Sequence, residues 1–232
     1  MSGWIKGEFH GVEENLQRVR ERVRLAAARS GREPRQIKII AVTKGVEVPR
    51  VREVVQQGIT DLGENRVQEM TGKITALPPD INWHMIGHLQ TNKVKYVVGR
   101  VALIHSLDRW SLAEEINRRA VKVGVAVGVL VQVNTSGERT KQGLTPGELP
   151  DFLTALRDLP RITVHGLMTI APYARNPEEV RPYFRELRLL AAKHKLKHLS
   201  MGMTNDYEVA VEEGADMLRL GTAIFGTRDI KK

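Results

Sequence analysis

IKIIAVTKGVEVP, residues 37–49, decides between two folds. Its apolar, β-branched run reads as a strand buried on both faces, the pattern of a parallel sheet covered by helices. An open dinucleotide-binding sheet would place GxGxxG directly after such a strand, because its glycines let the backbone close on a pyrophosphate. The chain has KGVEVP there instead. The strand runs straight into Lys44, an ammonium placed where a buried sheet meets its first loop.

Outward from that stretch the sequence alternates regularly. Apolar runs stand at 37–43, 59–63, 81–86, 101–107, 125–133, 162–170, 197–201 and 216–221. Amphipathic stretches separate them at 49–57, 66–76, 91–98, 109–122, 146–158, 177–195 and 205–213. Strands alternating with helices imply parallel pairing through right-handed crossovers. Eight of them in 232 residues predict an α/β fold, a single (β/α)8 TIM barrel. No linker or internal repeat interrupts it. One domain is therefore expected over residues 1–232, its barrel spanning about 37–228 after an extra N-terminal helix at about 8–30.

In this fold the active site forms at the C-terminal ends of the strands. That rule gathers scattered polar residues onto one rim: Lys44 after the first strand, Asn65 after the second, His84 and His88 in and after the third. Asn134 follows the fifth, Met168 lies in the sixth, Ser200 in the seventh and Arg219 in the eighth.

Composition narrows the chemistry. With no cysteine the chain has no disulfide framework, zinc–thiolate site, iron–sulfur cluster or catalytic thiol. The N-terminal MSGWIKGEFHGVEEN has no apolar core of signal-peptide length, and no segment approaches the ~20 apolar residues of a membrane span. A cytoplasmic protein is expected. The net charge of +9 owes much to Arg18, Arg20, Arg22, Arg24, Arg29, Arg32 and Arg35. Val12, Leu16, Val19 and Val23 recur there at helical spacing, so the arginines read as the solvated side of an amphipathic helix. Aromatic residues make up only 5% of the chain and no nucleic-acid module signature occurs, so no nucleic-acid partner is expected.

Each rim residue has a plain reading beside a functional one. Lys44 either snorkels to water or holds its amine at a pocket mouth, where apolar surroundings favour the neutral, nucleophilic form. Arg219, in DMLRLGT, either makes a structural ion pair with a carboxylate such as Glu64 or contacts a ligand inside the barrel mouth. Asn65 reads equally as a helix N-cap paired with Gln68 and as a ligand contact. His84 and His88 have the spacing of a helical metal pair but lie in a strand and loop without an adjacent carboxylate, so no metal site is expected. The loops after strands seven and eight, SMGMTND and GTAIFG, have the composition of a phosphate cup, built from Ser200, Gly221 and Thr222. Asn205 with Glu208 reads as the N-cap pair opening the next helix.

An amine, a buried arginine and a phosphate cup together describe a pyridoxal 5'-phosphate (PLP) site. The segments AVTK, GENRVQE, WHMIGHLQTNK, VQVNTSGERTKQG, HGLMTI, LSMGMTND and RLGTAIFGTR resemble, in this order, the pyridoxal phosphate homeostasis protein family, related to the barrel domain of alanine racemase. The resemblance runs from about residue 8 to 228. It implies the fold-type III PLP barrel, Lys44 carrying the cofactor as an internal aldimine, Arg219 facing the pyridine nitrogen, and Ser200, Gly221 and Thr222 holding the phosphate. Asn65 joins them as a cofactor contact. The family usually has proline where His88 stands, and SMGMSDD where this chain has SMGMTND, departures that bear on the pocket edge.

The resemblance further implies a carrier that regulates free PLP and supplies apo-enzymes, acting as a monomer without strong catalysis. Racemases of this barrel type add a C-terminal β-domain and a tyrosine acid/base from across a dimer, and no counterpart of either is expected here. The alternative reading is a minimal PLP-dependent racemase or decarboxylase.

Overall fold

The structure, a computed structural model, describes residues 11–138 and 140–227. The expected helix start at residues 8–10, Arg139 in the fifth-strand loop and the expected barrel end at residue 228 lie outside them. All eight expected strands form: β1 (Lys38–Val42), β2 (Asp61–Glu64), β3 (Asn82–Met85), β4 (Leu103–Leu107), β5 (Val127–Gln132), β6 (Ile162–Met168), β7 (His198–Ser200) and β8 (Met217–Leu220). They pair in parallel in sequence order and close into a barrel where β1 meets β8, with Ile40 opposite Arg219.

Alternation along the strands divides two apolar interiors. Ile40, Leu103, Leu130, Met168 and Met217 form a small cluster within the barrel. Their strand neighbours Ala41, Ile104, Val129, Val131, Leu167 and Leu218 join the larger cluster between sheet and helices. Because Ile40 points inward, so does Arg219 on the adjoining strand.

The helices are α1 (Val12–Arg29), α2 (Val48–Gln56), α3 (Val67–Ile74), α4 (Trp110–Val123), α5 (Leu149–Ala155), α6 (Arg181–Lys193), α7 (Tyr207–Glu212) and α8 (Thr222–Phe225). Helix α1 is the extra one. Its stripe Val12, Leu16, Val19, Val23, Ala26 and Ala27 is buried, and Asn15 Nδ2 donates to Ile224 O of α8 at 3.0 Å.

Two expectations fail locally. The helix expected at 91–98 is a 3-10 helix over Thr91–Tyr96. Its apolar Val94 and Val97 stand three apart, a spacing that a three-residue turn eclipses on one side. The helix expected from residue 205 begins at Tyr207, with Asp206 at its N-cap and no side-chain cap bond. Asn205 therefore caps nothing. Asp206 instead turns its carboxylate backwards, accepting from Met203 N at 2.6 Å, which shapes the loop after β7.

Candidate functional site

Lys44 lies two residues beyond β1, half-exposed, with its backbone fastened on both sides. On one side Lys73 Nζ of α3 donates to Thr43 O, and Thr43 Oγ1 donates to Glu64 Oε1, both at 2.6 Å. On the other, Gly45 N donates to Glu69 Oε2 at 2.6 Å. The anchor is itself paired: Lys73 Nζ stands 2.6 Å from Glu64 Oε1, with Glu64 fully buried. The Lys44 amine has no partner among the described residues. A fixed main chain beneath a free amine is the arrangement a covalent lysine requires.

Arg219 does not make the ion pair with Glu64 that one reading of the sequence proposed, because Glu64 is committed to Lys73. Only 4% of Arg219 is exposed. Its Nη1 donates to Ser200 Oγ at 2.6 Å and its Nη2 to Thr169 O at 2.8 Å. It has no carboxylate in ion-pair contact among the described residues. Burial pushes its pKa down to about 10, the charge of Asp206 opposing this in part. An arginine withdrawn from water with only neutral groups in hydrogen-bond contact is unusual.

The loops after β7 and β8 meet each other. Thr204 Oγ1, after β7, accepts from Ala223 N of α8 at 3.1 Å, joining the two loops. Beside that bond the amides of Thr204 and Thr222 donate to nothing among the described residues, although peptide N–H groups are strong donors. Gly221 is not demanded by its own backbone: φ is −110°, and an added Cβ would meet only Val42, at 3.5 Å. Gly202 is demanded, with φ +93° and Ala210 Cβ 2.6 Å from where its own Cβ would stand. Ser200, the third residue expected in the cup, ends β7. Its hydroxyl is completely buried and engaged by Arg219 and, at 2.9 Å, by His105 Nδ1.

The remaining rim residues separate by geometry. Asn65 is not the N-cap of α3; Arg66 holds that position, without a side-chain cap bond. The Asn65 amide donates to Glu64 Oε2 at 3.2 Å, and the loop after β3 presses on it: a Cβ at Gly87 would meet Asn65 O at 2.4 Å. The expectation that the histidines lack a carboxylate fails through residues distant in sequence. His84 Nε2 lies 2.9 Å from Asp61 Oδ1 and His88 Nδ1 3.6 Å from Asp108 Oδ2. His84 is buried and His88 exposed, so they share no ligand position; among the described residues no group of metal-ligating side chains assembles. Asn134 folds its own loop, accepting from Ser136 Oγ at 2.9 Å and donating to Glu138 O at 2.9 Å. Met168 fills the barrel interior.

Lys73, Glu69, His105, Thr169 and Thr204 went unremarked in the sequence. For His105 the signal was present: a polar residue at inward parity in the apolar strand VALIHSL, the feature that singled out Arg219. The first helix's arginines are mostly occupied within the protein. Arg18 and Arg24 pair with Glu14 and Glu21, Arg22 and Arg29 reach Glu208, and Arg32 Nη1 donates to Val211 O at 2.8 Å and Ala215 O at 2.7 Å.

The family model described as "Alanine racemase, N-terminal domain" matches residues 15–229. The pyridoxal phosphate homeostasis protein of Aquifex aeolicus is 49% identical over 222 residues, which cover 93% of this chain and 97% of that protein. That of Pseudomonas aeruginosa is 38% identical, covering 94% and 96%. PipY of Synechococcus elongatus, solved with PLP bound, superposes with a TM-score of 0.80 at 34% identity over 93% of this chain and all of that one. Similarity of this extent makes the chain a member of the alanine racemase N-terminal domain family and, within it, of the pyridoxal phosphate homeostasis proteins.

Proposed function

We propose that this chain binds PLP at the C-terminal rim of its barrel, attached covalently to Lys44, and acts in PLP homeostasis and cofactor supply without strong catalysis of its own. The observation that carries the reading is Arg219, a buried guanidinium beside the rim with no carboxylate against it. The residues fit an anionic, aldehyde-bearing ligand: a free amine on a fastened loop, unpaired amides at Thr204 and Thr222, and a buried guanidinium with no carboxylate in contact. Gly221 and Thr222 hold the phosphate with Thr204, Asn65 lines the edge, and Ser200 serves the site through Arg219. The names of the curated relatives and the PLP-bound PipY structure support the same reading.

Bound there, PLP would supply a carbonyl carbon for amines and a ring able to draw electrons from bonds to Cα. Arg219 limits the second property. At a pKa of about 10 it stays protonated at neutral pH and only donates, so a ring nitrogen at its edge is kept unprotonated and draws electrons weakly. A cofactor held by one reversible bond at an open rim suits transfer to apo-enzymes. The same proposal has the protein working as a monomer in the cytoplasm. Among the described residues no helix is long and apolar enough to cross a membrane.

The test is borohydride reduction of the cofactor-loaded protein, followed by peptide mapping. The reduced adduct is expected on Lys44 and absent from Lys44→Ala; an adduct on another lysine alone would refute the assignment. Incubation with each common amino acid should yield no sustained racemised, decarboxylated or transaminated product, while an apo-enzyme mixed with the loaded protein recovers activity. Turnover that vanishes in Lys44→Ala would instead establish the minimal racemase or decarboxylase.

A further inference from the structure

Behind Arg219 the barrel interior holds a continuous chain of polar side chains in otherwise apolar packing. Arg219 Nη1 lies 2.6 Å from Ser200 Oγ, which lies 2.9 Å from His105 Nδ1. His105 Nε2 is 2.9 Å from His84 Nδ1, and His84 Nε2 is 2.9 Å from Asp61 Oδ1. Asp61 also accepts from Lys38 Nζ at 2.8 Å. The chain passes from β8 through β7, β4 and β3 to β2, from the cofactor rim to the opposite end. Ser200, His105 and His84 are buried, and only at Asp61 and Lys38 does it reach water appreciably.

We propose that Ser200, His105, His84 and Asp61 form a one-directional hydrogen-bond relay that positions Arg219 and links it, across the length of the barrel, to a carboxylate at the far end. The two ends set the direction. A guanidinium can only donate and a carboxylate can only accept, while a hydroxyl and a neutral imidazole each offer one donor and an acceptor. One arrangement then satisfies every link: Arg219 donates to Ser200, Ser200 to His105 Nδ1, His105 Nε2 to His84 Nδ1, and His84 Nε2 to Asp61. Both histidines carry their proton on Nε2. The opposite tautomer at His105 would aim two donors at Ser200 and strand its hydroxyl hydrogen in the core, which costs a buried group its partner. Burial, with the charges of Arg219 and Lys38 acting in the same direction, holds His105 well below the ordinary histidine value and so neutral, as the arrangement requires. Burial alone would raise Asp61, but bonds from His84 and Lys38 outweigh it and keep it ionised. Aligned dipoles ending on a carboxylate polarise one another toward the cation. The titratable and charged groups on this path are Lys38, Asp61, His84, His105 and Arg219, with Asp206 beside Arg219 from the loop after β7.

The cofactor side of this inference rests on Arg219 facing the PLP ring, and the test separates the two. Long-range 15N NMR of the protein without PLP, at neutral pH, is expected to show His84 and His105 protonated at Nε2 and bare at Nδ1. In Asp61→Asn the His105 nitrogens should shift although the substitution is two links away, and Asp61→Glu should restore them. A His105 protonated at Nδ1, or His105 signals that ignore Asp61→Asn, would overturn the relay. Should Asp61→Asn not fold, the tautomers of the unaltered protein and of Ser200→Ala still decide: with the Ser200 link cut, His105 is expected to lose its single tautomer while His84 keeps its bond to Asp61, and an unchanged His105 overturns the relay. PLP titrated into Asp61→Asn should bind about three- to tenfold more weakly, the effect of one hydrogen bond, with attachment still at Lys44; unchanged affinity overturns the relay's action on the site. Failure of the PLP assignment would appear differently, as no Lys44 adduct in the unaltered protein with both tautomers as stated.

Discussion

Lys73 and Arg219 are both cations withdrawn from water near the rim, yet their surroundings differ in kind. Lys73 Nζ stands 2.6 Å from the carboxylate of Glu64 and 3.7 Å from that of Glu69. Arg219 donates only to a hydroxyl and a carbonyl. The first is a closed pair whose charges cancel inside the protein, and its product is position: it fixes Thr43 and Gly45 on either side of Lys44. The second is open, and its charge is available to whatever enters the mouth. Removing one member of each should therefore give opposite balances of stability and binding.

The largest effect is expected at the closed pair. Lys73→Met leaves the buried Glu64 facing only Thr43 and its neighbouring amide, and breaking such a pair costs about 3–5 kcal/mol. Denaturant unfolding of the protein without PLP measures this. Adding Glu64→Gln should recover part of the loss, since the stranded charge is gone. A single variant as stable as the unaltered protein would show that the pair is not what holds the Lys44 loop.

The contrast also explains which parts were legible in the sequence. The eight strands were, because a run such as IIAV or VAVGVLVQV is apolar whichever strands flank it. The inward parity of Arg219 was too, since it needs only its own strand. What each buried charge touches was not. Glu64 had two candidate partners, Arg219 and any nearby lysine, and nothing local shows that Lys73, a turn and a half along α3, folds back onto it. Ser200 was assigned outward to phosphate because His105, its partner 95 residues away, comes from the facing wall of the barrel. The 3-10 helix at Thr91–Tyr96 escaped because its apolar spacing fits an α-helix nearly as well.

A second, smaller effect sharpens the open side of the comparison through pH. Burial depresses His105 below the ordinary histidine value of 6.5, so beneath that value the unfolded chain takes up a proton that the folded chain does not. Stability from this group is complete above about pH 6.5 and is lost as pH falls below it, at about 1.4 kcal/mol per pH unit. His165, lowered chiefly by burial, contributes in the same window. Carboxylates held low, Asp61, Glu212 and Glu213 among them, contribute above their ordinary values and are lost only in stronger acid. His105→Gln should flatten the slope of unfolding free energy between about pH 6.5 and 5 without altering the acid limb. An unchanged slope would mean that His105 is charged in the folded protein and the interior is wetter than its burial indicates.

The smallest effect on stability, and the most diagnostic, is expected at Arg219 itself. Arg219→Met removes a buried charge with no opposite charge against it, which relieves a desolvation penalty. It also removes the donors to Ser200 Oγ and Thr169 O. Ser200 keeps its bond to His105, leaving Thr169 O the group with the greater loss, at about 1–3 kcal/mol for a buried acceptor left bare. The two changes oppose each other, so the net shift in unfolding free energy without PLP should stay within about 1.5 kcal/mol of either sign. That is well short of Lys73→Met, although both remove one buried cation from the same rim. Binding should rank the other way, with PLP affinity falling more in Arg219→Met than the stability change explains. Unfolding curves with and without PLP for both variants measure the pair of differences. If Arg219→Met instead unfolds the chain as readily as Lys73→Met, the guanidinium is a structural element of the barrel, and its missing carboxylate is no sign of a ligand.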